Sequence, residues 1–170
     1  MELWDLYDKE RNDLGQTIIR GNAHPAGTYH LVVNIWVINS RNQMLLTLRS
    51  PEKKQYPNLW ENQGGSVQAG EQSLPAAQRE LFEETGIWME QGDFALLGTS
   101  LEKTALVDIY AVRKDIEAEK IRLQPGETVD VKWATSQELD ALAAAGQMSD
   151  ATMRRKSAVL LAWNAFFAEK

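Results

Sequence analysis

The window 65–87, GSVQAGEQSLPAAQRELFEETGI, constrains the fold of this chain more than any other segment. It runs Gly65, five residues, Glu71, seven residues, Arg79-Glu80-Leu81, one residue, Glu83-Glu84, one residue, Gly86-Ile87. Pro75 is tolerated in a first helical turn, where no intrahelical N–H bond is lost. Ser73 can cap that turn, and Gly86 suits the left-handed position that ends a helix. The window therefore predicts a loop, a helix and a tight stop. Ala76, Ala77 and Leu81 give the helix a small apolar face, while Glu80, Glu83 and Glu84 share another. Like charges at that spacing destabilise a helix by roughly 0.2–0.5 kcal/mol per pair. A divalent cation is the simplest compensation, because hard cations take carboxylate oxygens together with substrate phosphates. Arg79 can fix one of these carboxylates with its planar fork.

The window resembles the Nudix box, G-x5-E-x7-R-E-U-x-E-E-x-G-U with U aliphatic, at every fixed position. Chance agreement somewhere in the chain has odds on the order of 10⁻⁶ at average residue usage. The resemblance implies an α/β fold, the Nudix α/β/α sandwich with a mixed sheet. It implies hydrolysis of a diphosphate bond in a nucleoside diphosphate-linked or related small molecule, with Mg²⁺ or Mn²⁺. Glu80, Glu83 and Glu84 are then metal ligands, and Glu71 and Arg79 brace the loop against the helix. Glu83, Glu84 or Glu127 serves as the base; Glu127 lies in QPGETVDVKW, where many members carry an acidic residue on a loop over the metals. Arg49, with Lys53 or Lys54, can contact phosphate. Gly64 and Gly65 lie where the substrate approaches the backbone.

Composition narrows the partners. The net charge is −6 and there are no cysteines. Nucleic-acid polymers are disfavoured by the charge, and thiolate catalysis, disulfides and Cys-based zinc sites by the missing thiols. The opening MELWDLYDKERND is too charged for a secretory leader. No apolar run approaches the roughly 20 residues that span a bilayer. The expectation is a cytoplasmic protein, monomer or homodimer, acting on a small-molecule diphosphate without membrane attachment.

Along the chain, 3–21 reads as a hairpin and 22–28 as a linker, giving an N-terminal extension over 1–28. Strands are expected at 29–38, 44–50, 59–63, 93–100, 105–114 and 129–133, with a helix over 136–146. The hydrolase domain spans 29–147. Residues 148–170 read as one amphipathic helix packed on the domain, with Val159, Leu160, Trp163, Phe166 and Phe167 on adjoining faces. Tyr56, Trp60 and Trp36 can stack on a substrate, though aromatics in strands usually belong to the core.

Beyond the box, residues from His30 through Trp36 and Asn39, then LLTLRS and WENQGG, are similar to the Nudix branch containing isopentenyl-diphosphate isomerases. That branch protonates a double bond with a cysteine, where this chain has Gly64, and binds metal with a histidine, where it has Val67. His24 and His30 resemble isomerase metal ligands in position. By residue type alone, His30 reads as a core or edge histidine and His24 as a surface one. Two other readings follow from the branch: an isomerase-like enzyme, or a non-catalytic diphosphate-binding domain. The missing cysteine opposes the first and the complete box opposes the second.

Overall fold

The computed structural model describes residues 1–168. Strands β1 (Leu3–Tyr7) and β2 (Asp13–Ile19) form an antiparallel hairpin. Asp8 closes its turn by accepting from the Asn12 backbone and side chain, with Arg11 at φ 69°. Strand β3 (His30–Ile38) is apolar on both faces, as a strand covered on both sides must be. Leu31, Val33, Ile35 and Val37 point into one core, and Trp36 and Ile38 into the other. β3 runs parallel to β8 (Ala105–Arg113), from His30↔Ala105 to Ile38↔Arg113. β7 (Ala95–Leu101) pairs antiparallel with β8 and forms one sheet edge.

On its other edge β3 is shared. β4 (Met44–Arg49) meets it only at Ile38↔Met44, then pairs with β9 (Thr128–Ala134) and with the short β5 (Trp60–Glu61). β6 (Gln63–Ser66) takes the vacated half of the β3 edge, from Val32↔Ser66 to Ile35↔Gln63. The seam between β5 and β6 is held by Asn62, which exchanges side-chain hydrogen bonds with Asn34 and donates to the Ile35 carbonyl. This split edge is where the box meets the sheet.

Helix α1 (Ser73–Thr85) lays Ala76, Ala77 and Leu81 on the first face. Three helices follow in sequence: α2 (Ser136–Ala144), α3 (Asp150–Ala158) and α4 (Leu160–Ala168). The second-face core includes Leu139, Met148, Val159 and Trp163, with Trp163 meeting Trp36 edge-on at 4.7 Å. The result is a mixed sheet between helical layers, the α/β/α class expected. Among the described residues no helix is long and apolar enough to cross a membrane.

Two local expectations are corrected. The C-terminal segment is two helices, not one, because the backbone leaves helical geometry at Val159 (φ −117°, ψ 23°). Val159 instead packs against Gly98 of β7, where a Cβ would stand 3.0 Å from its Cγ1. The break leaves Leu160 and Leu161 in solvent while Trp163 is buried. Residues 169 and 170, the end of the expected helix, lie outside the described residues. Ser73 does not cap α1: Gln72 occupies the N-cap position without a side-chain bond, and the Ser73 hydroxyl donates to Asp108. Asp108 is a buried carboxylate also held by Arg11 at 2.5 and 2.6 Å and by Thr99 at 2.8 Å. An accepting carboxylate that would otherwise be left short of donors outcompetes an exposed cap.

Candidate active site

Helix α1 presents its carboxylates to β6. Gly65 in β6 has no side chain, and a Cβ there would collide with the Glu80 carboxylate. A bare backbone is what lets Glu80 lie against the strand. At the neighbouring residue the Gly64 N–H donates to Glu84 Oε2 at 3.2 Å. Gly64 has φ 158°, and a Cβ there would run into the Val33 carbonyl oxygen, so a side chain at 64 does not fit this backbone.

Arg79 braces the loop to the helix. Its Nε and Nη2 donate to the two oxygens of Glu71 at 2.9 and 2.8 Å, the bidentate geometry of a strong guanidinium–carboxylate pair. Nη2 also reaches the Ser66 carbonyl at 3.2 Å, and Nη1 donates to Glu80 at 2.7 Å and Glu83 at 3.3 Å. Burial opposes ionisation of Glu71, but the Arg79 bond holds it below its ordinary pKa. The Glu71 and Glu80 carboxylates push the Arg79 pKa upward.

Glu84 accepts from the Gly64 N–H, and the pull of Arg49 on it is weaker than the push of its acidic neighbours. Burial, then the like charges of Glu61 and Glu80, drive its carboxyl well above the usual carboxylate range. Burial also raises Glu80 and Glu61, against the pull of Arg79 and Arg49 respectively. Buried carboxylates with hard oxygen donors, one of them raised further by two acidic neighbours, are what a divalent cation would relieve. The donor chemistry of Glu80, Glu83 and Glu84 fits such an ion. Their side chains do not already converge: among the described residues no group of three or more His, Asp or Glu side chains is arranged to hold a metal. Glu80 and Glu83 are turned toward Arg79 and would have to loosen from it.

Gly64 and Gly65 also border a cleft of about 160 Å³ between the sheet and α3, lined by Arg49, Glu61, Ser149, Thr152 and Arg155 among others. Arg49 is ion-paired with Glu61 and donates from Nε to the Gln55 carbonyl. Glu127 is ion-paired with Lys53. Tyr56 lines the cleft with a left-handed backbone, φ 53°. Trp60 is covered by Lys132 at 4.0 Å, and Trp36 is fully buried. The larger cavity, about 640 Å³ around Asn39, Asp115 and Trp133, contains no box residue.

Sequence reasoning did not single out Glu61 or the α3 residues of the cleft. Glu61 carried a signal, a carboxylate inside a strand leading directly into the box. Ser149 and Arg155 carried none, because they reach the site only through the fold. His30 is stacked on Trp4 at 4.1 Å and donates from Nδ1 to the Thr104 carbonyl at 2.8 Å. His24 lies 5.0 Å from His30 and is partly buried, both ring nitrogens enclosed without a partner, rather than lying on the surface as expected.

The NUDIX domain model of known protein families matches residues 28–156. The chain belongs to the Nudix family. An uncharacterized Nudix hydrolase of Listeria monocytogenes is 35% identical over 149 residues, covering 86% of this chain and 88% of the relative. The crystal structure of DR0079 from Deinococcus radiodurans superposes with a TM-score of 0.72 at 27% identity, covering 87% of this chain and 92% of that one. An isopentenyl-diphosphate Delta-isomerase of Pectobacterium atrosepticum is 36% identical, but over only 51% of this chain and 50% of its own. This Nudix protein is thus a hydrolase by family, and the family splits pyrophosphate bonds in small molecules. Its likeness to isomerases is partial, and it has no cysteine.

Proposed function

We propose that this Nudix hydrolase cleaves the pyrophosphate bond of a nucleoside diphosphate-linked or related small molecule, using Mg²⁺ or Mn²⁺. The observation that carries the reading is the insertion of Glu80 and Glu84 against Gly65 and Gly64, within a buried group of like charges that includes Glu61. Glu80, Glu83 and Glu84 would hold the ion. Bound there, it supplies charge neutralisation on the phosphates and a more acidic water. Arg79 keeps the helix and loop in register through Glu71. Arg49 and the Gly64–Gly65 backbone border the space in which the diphosphate lies. Glu83 or Glu84 accepts the proton of the attacking water; Glu127 can do so only after leaving Lys53. A net-acidic chain without thiols suits the cytoplasm.

The test is a panel of diphosphates with Mg²⁺ or Mn²⁺, scored for phosphate release after phosphatase coupling. Isopentenyl diphosphate is included in deuterated water and followed by NMR. Metal-dependent release without deuterium entering dimethylallyl diphosphate is the expected result. Isomerisation at catalytic rates, or binding without turnover across the panel, would overturn the reading.

A further inference from the structure

Gln63, the first residue of β6, belongs neither to the box nor to the lining of the cleft, yet the fold buries it completely. Its amide oxygen and nitrogen are both enclosed, and neither has a hydrogen-bond partner among the described residues. A buried donor left unpaired carries its full desolvation cost, whereas an apolar side chain of the same volume carries none. Core packing alone therefore favours leucine or methionine at this position over glutamine.

Strand pairing fixes the direction of the side chain. Gln63 stands opposite Ile35 and Gly65 opposite Val33, and both β3 side chains lie in the core that α1 covers. Paired residues share a face, as do residues two apart along a strand. Gln63 thus projects toward α1, on the side where a Cβ at Gly65 would meet the Glu80 carboxylate. Gly64, between them, donates its N–H to Glu84 Oε2. The unpaired amide is therefore one residue from the backbone anchor of Glu84, on the helix side of the strand. The box carboxylates are unequally held. Arg79 donates to Glu80 and Glu83. Glu84 is given a single hydrogen bond among the described residues, the Gly64 N–H at 3.2 Å, at the long end of the normal range.

We propose that Gln63 is a positioning residue for Glu84: its amide nitrogen donates to that carboxylate when Glu84 holds the divalent ion. The proposal rests on the metal reading of the box given above. Carboxylates that ligate a metal are themselves hydrogen-bonded by residues behind them, which fix their orientation. A neutral amide suits this task, because it orients the carboxylate without cancelling the charge that attracts the ion.

The test compares metal-free stability with affinity for Mn²⁺ alone, in the full chain. Gln63→Met keeps the volume and removes both unpaired atoms. In chelator it should melt at or above the parent's temperature, since no bond of the metal-free fold is lost. Its Mn²⁺ affinity, read from the paramagnetic resonance signal of the free ion, should fall about 10–100-fold, the scale of losing a partner behind a metal ligand. Gln63→Asn, whose amide is one methylene short, should bind Mn²⁺ as weakly, and it reads the site if methionine disturbs the fold. Parent-like Mn²⁺ affinity in Gln63→Met and Gln63→Asn, beside weakened affinity in Glu84→Gln, would overturn the proposal and leave the metal site standing. A metal-free Gln63→Met that melts clearly below the parent would also overturn it, because the amide would then belong to the resting fold. Parent-like Mn²⁺ affinity in Glu84→Gln would instead remove Glu84 as a ligand, and the proposal with it.

Discussion

Glu84 is a carboxylate enclosed by the fold with Glu61 and Glu80 as like-charged neighbours. Its folded pKa lies above the unfolded value, so the protonated form is the one the fold prefers. The stability this group contributes is therefore full below the unfolded pKa near 4.5 and is lost as pH rises toward the folded value. In chelator at pH 8, Glu84→Gln should melt at a higher temperature than the parent, and the difference should close at pH 4. The same variant should lower kcat by about 10²–10⁴ and gain less melting temperature from Mg²⁺ than the parent does. A variant that is less stable than the parent at pH 8 would contradict the buried-charge account. Gly65 acts through Glu80. In Gly65→Ala the new methyl displaces the carboxylate, a flexible end that can move, so the fold survives. A ligand misplaced by about 1 Å can cost about 10²-fold in rate. Steady-state kinetics should show that loss with a melting temperature close to the parent's.

At the scale of elements, α1 was legible because its signals are local: Pro75 in the first turn, Gly86 at φ 72° after the last, and small residues beneath. How α1 is anchored was not. Ser73, Thr99 and Arg11, from a helix, a strand and the N-terminal hairpin, converge on Asp108 of β8. Asp108 is 2% exposed, and Arg11 holds it below the ordinary carboxylate range although burial opposes this. Arg11→Ala leaves the carboxylate with two hydroxyl donors and no counter-charge. Breaking a fully buried pair costs about 3–5 kcal/mol; with Arg11 two-fifths exposed, about 2 kcal/mol is expected. Urea unfolding at pH 7 measures it, and an unchanged midpoint would mean the hairpin is not tied to the sheet through this pair. The break between α3 and α4 was equally illegible, since nothing in the run from Ser157 to Trp163 stops a helix. Val159 leaves the helix because Gly98, far away in sequence, offers a hollow.

Across the whole molecule, the hairpin, the linker and the sheet meet at Trp4, His24 and His30. Burial, then the nearby His24, lowers the His30 pKa from 6.5 to about 4. The unfolded chain binds this proton near pH 6.5 and the folded one does not. Stability is then full above pH 6.5 and declines as pH falls from 6.5 to about 4. Discounted for partial solvent screening, the loss should be about 2 kcal/mol. His30→Gln should flatten that part of the stability–pH curve in urea titrations. A slope equal to the parent's would place the sensitivity elsewhere.

The sequence by itself determined the family, the fold class and the box, because those rest on local spacing: carboxylates on one helix face, glycines at the ends, alternation in the strands. It also excluded cysteine chemistry outright. Only the tertiary structure decided what each box carboxylate touches, since Glu80 and Glu84 meet Gly65 and Gly64 through the packing of α1 on β6. It alone brought Glu61 beside Glu84 and Ser149 and Arg155 beside Arg49. Burial and pairing of charges depend on residues dozens of positions apart sharing one volume, and no periodicity along the chain records that.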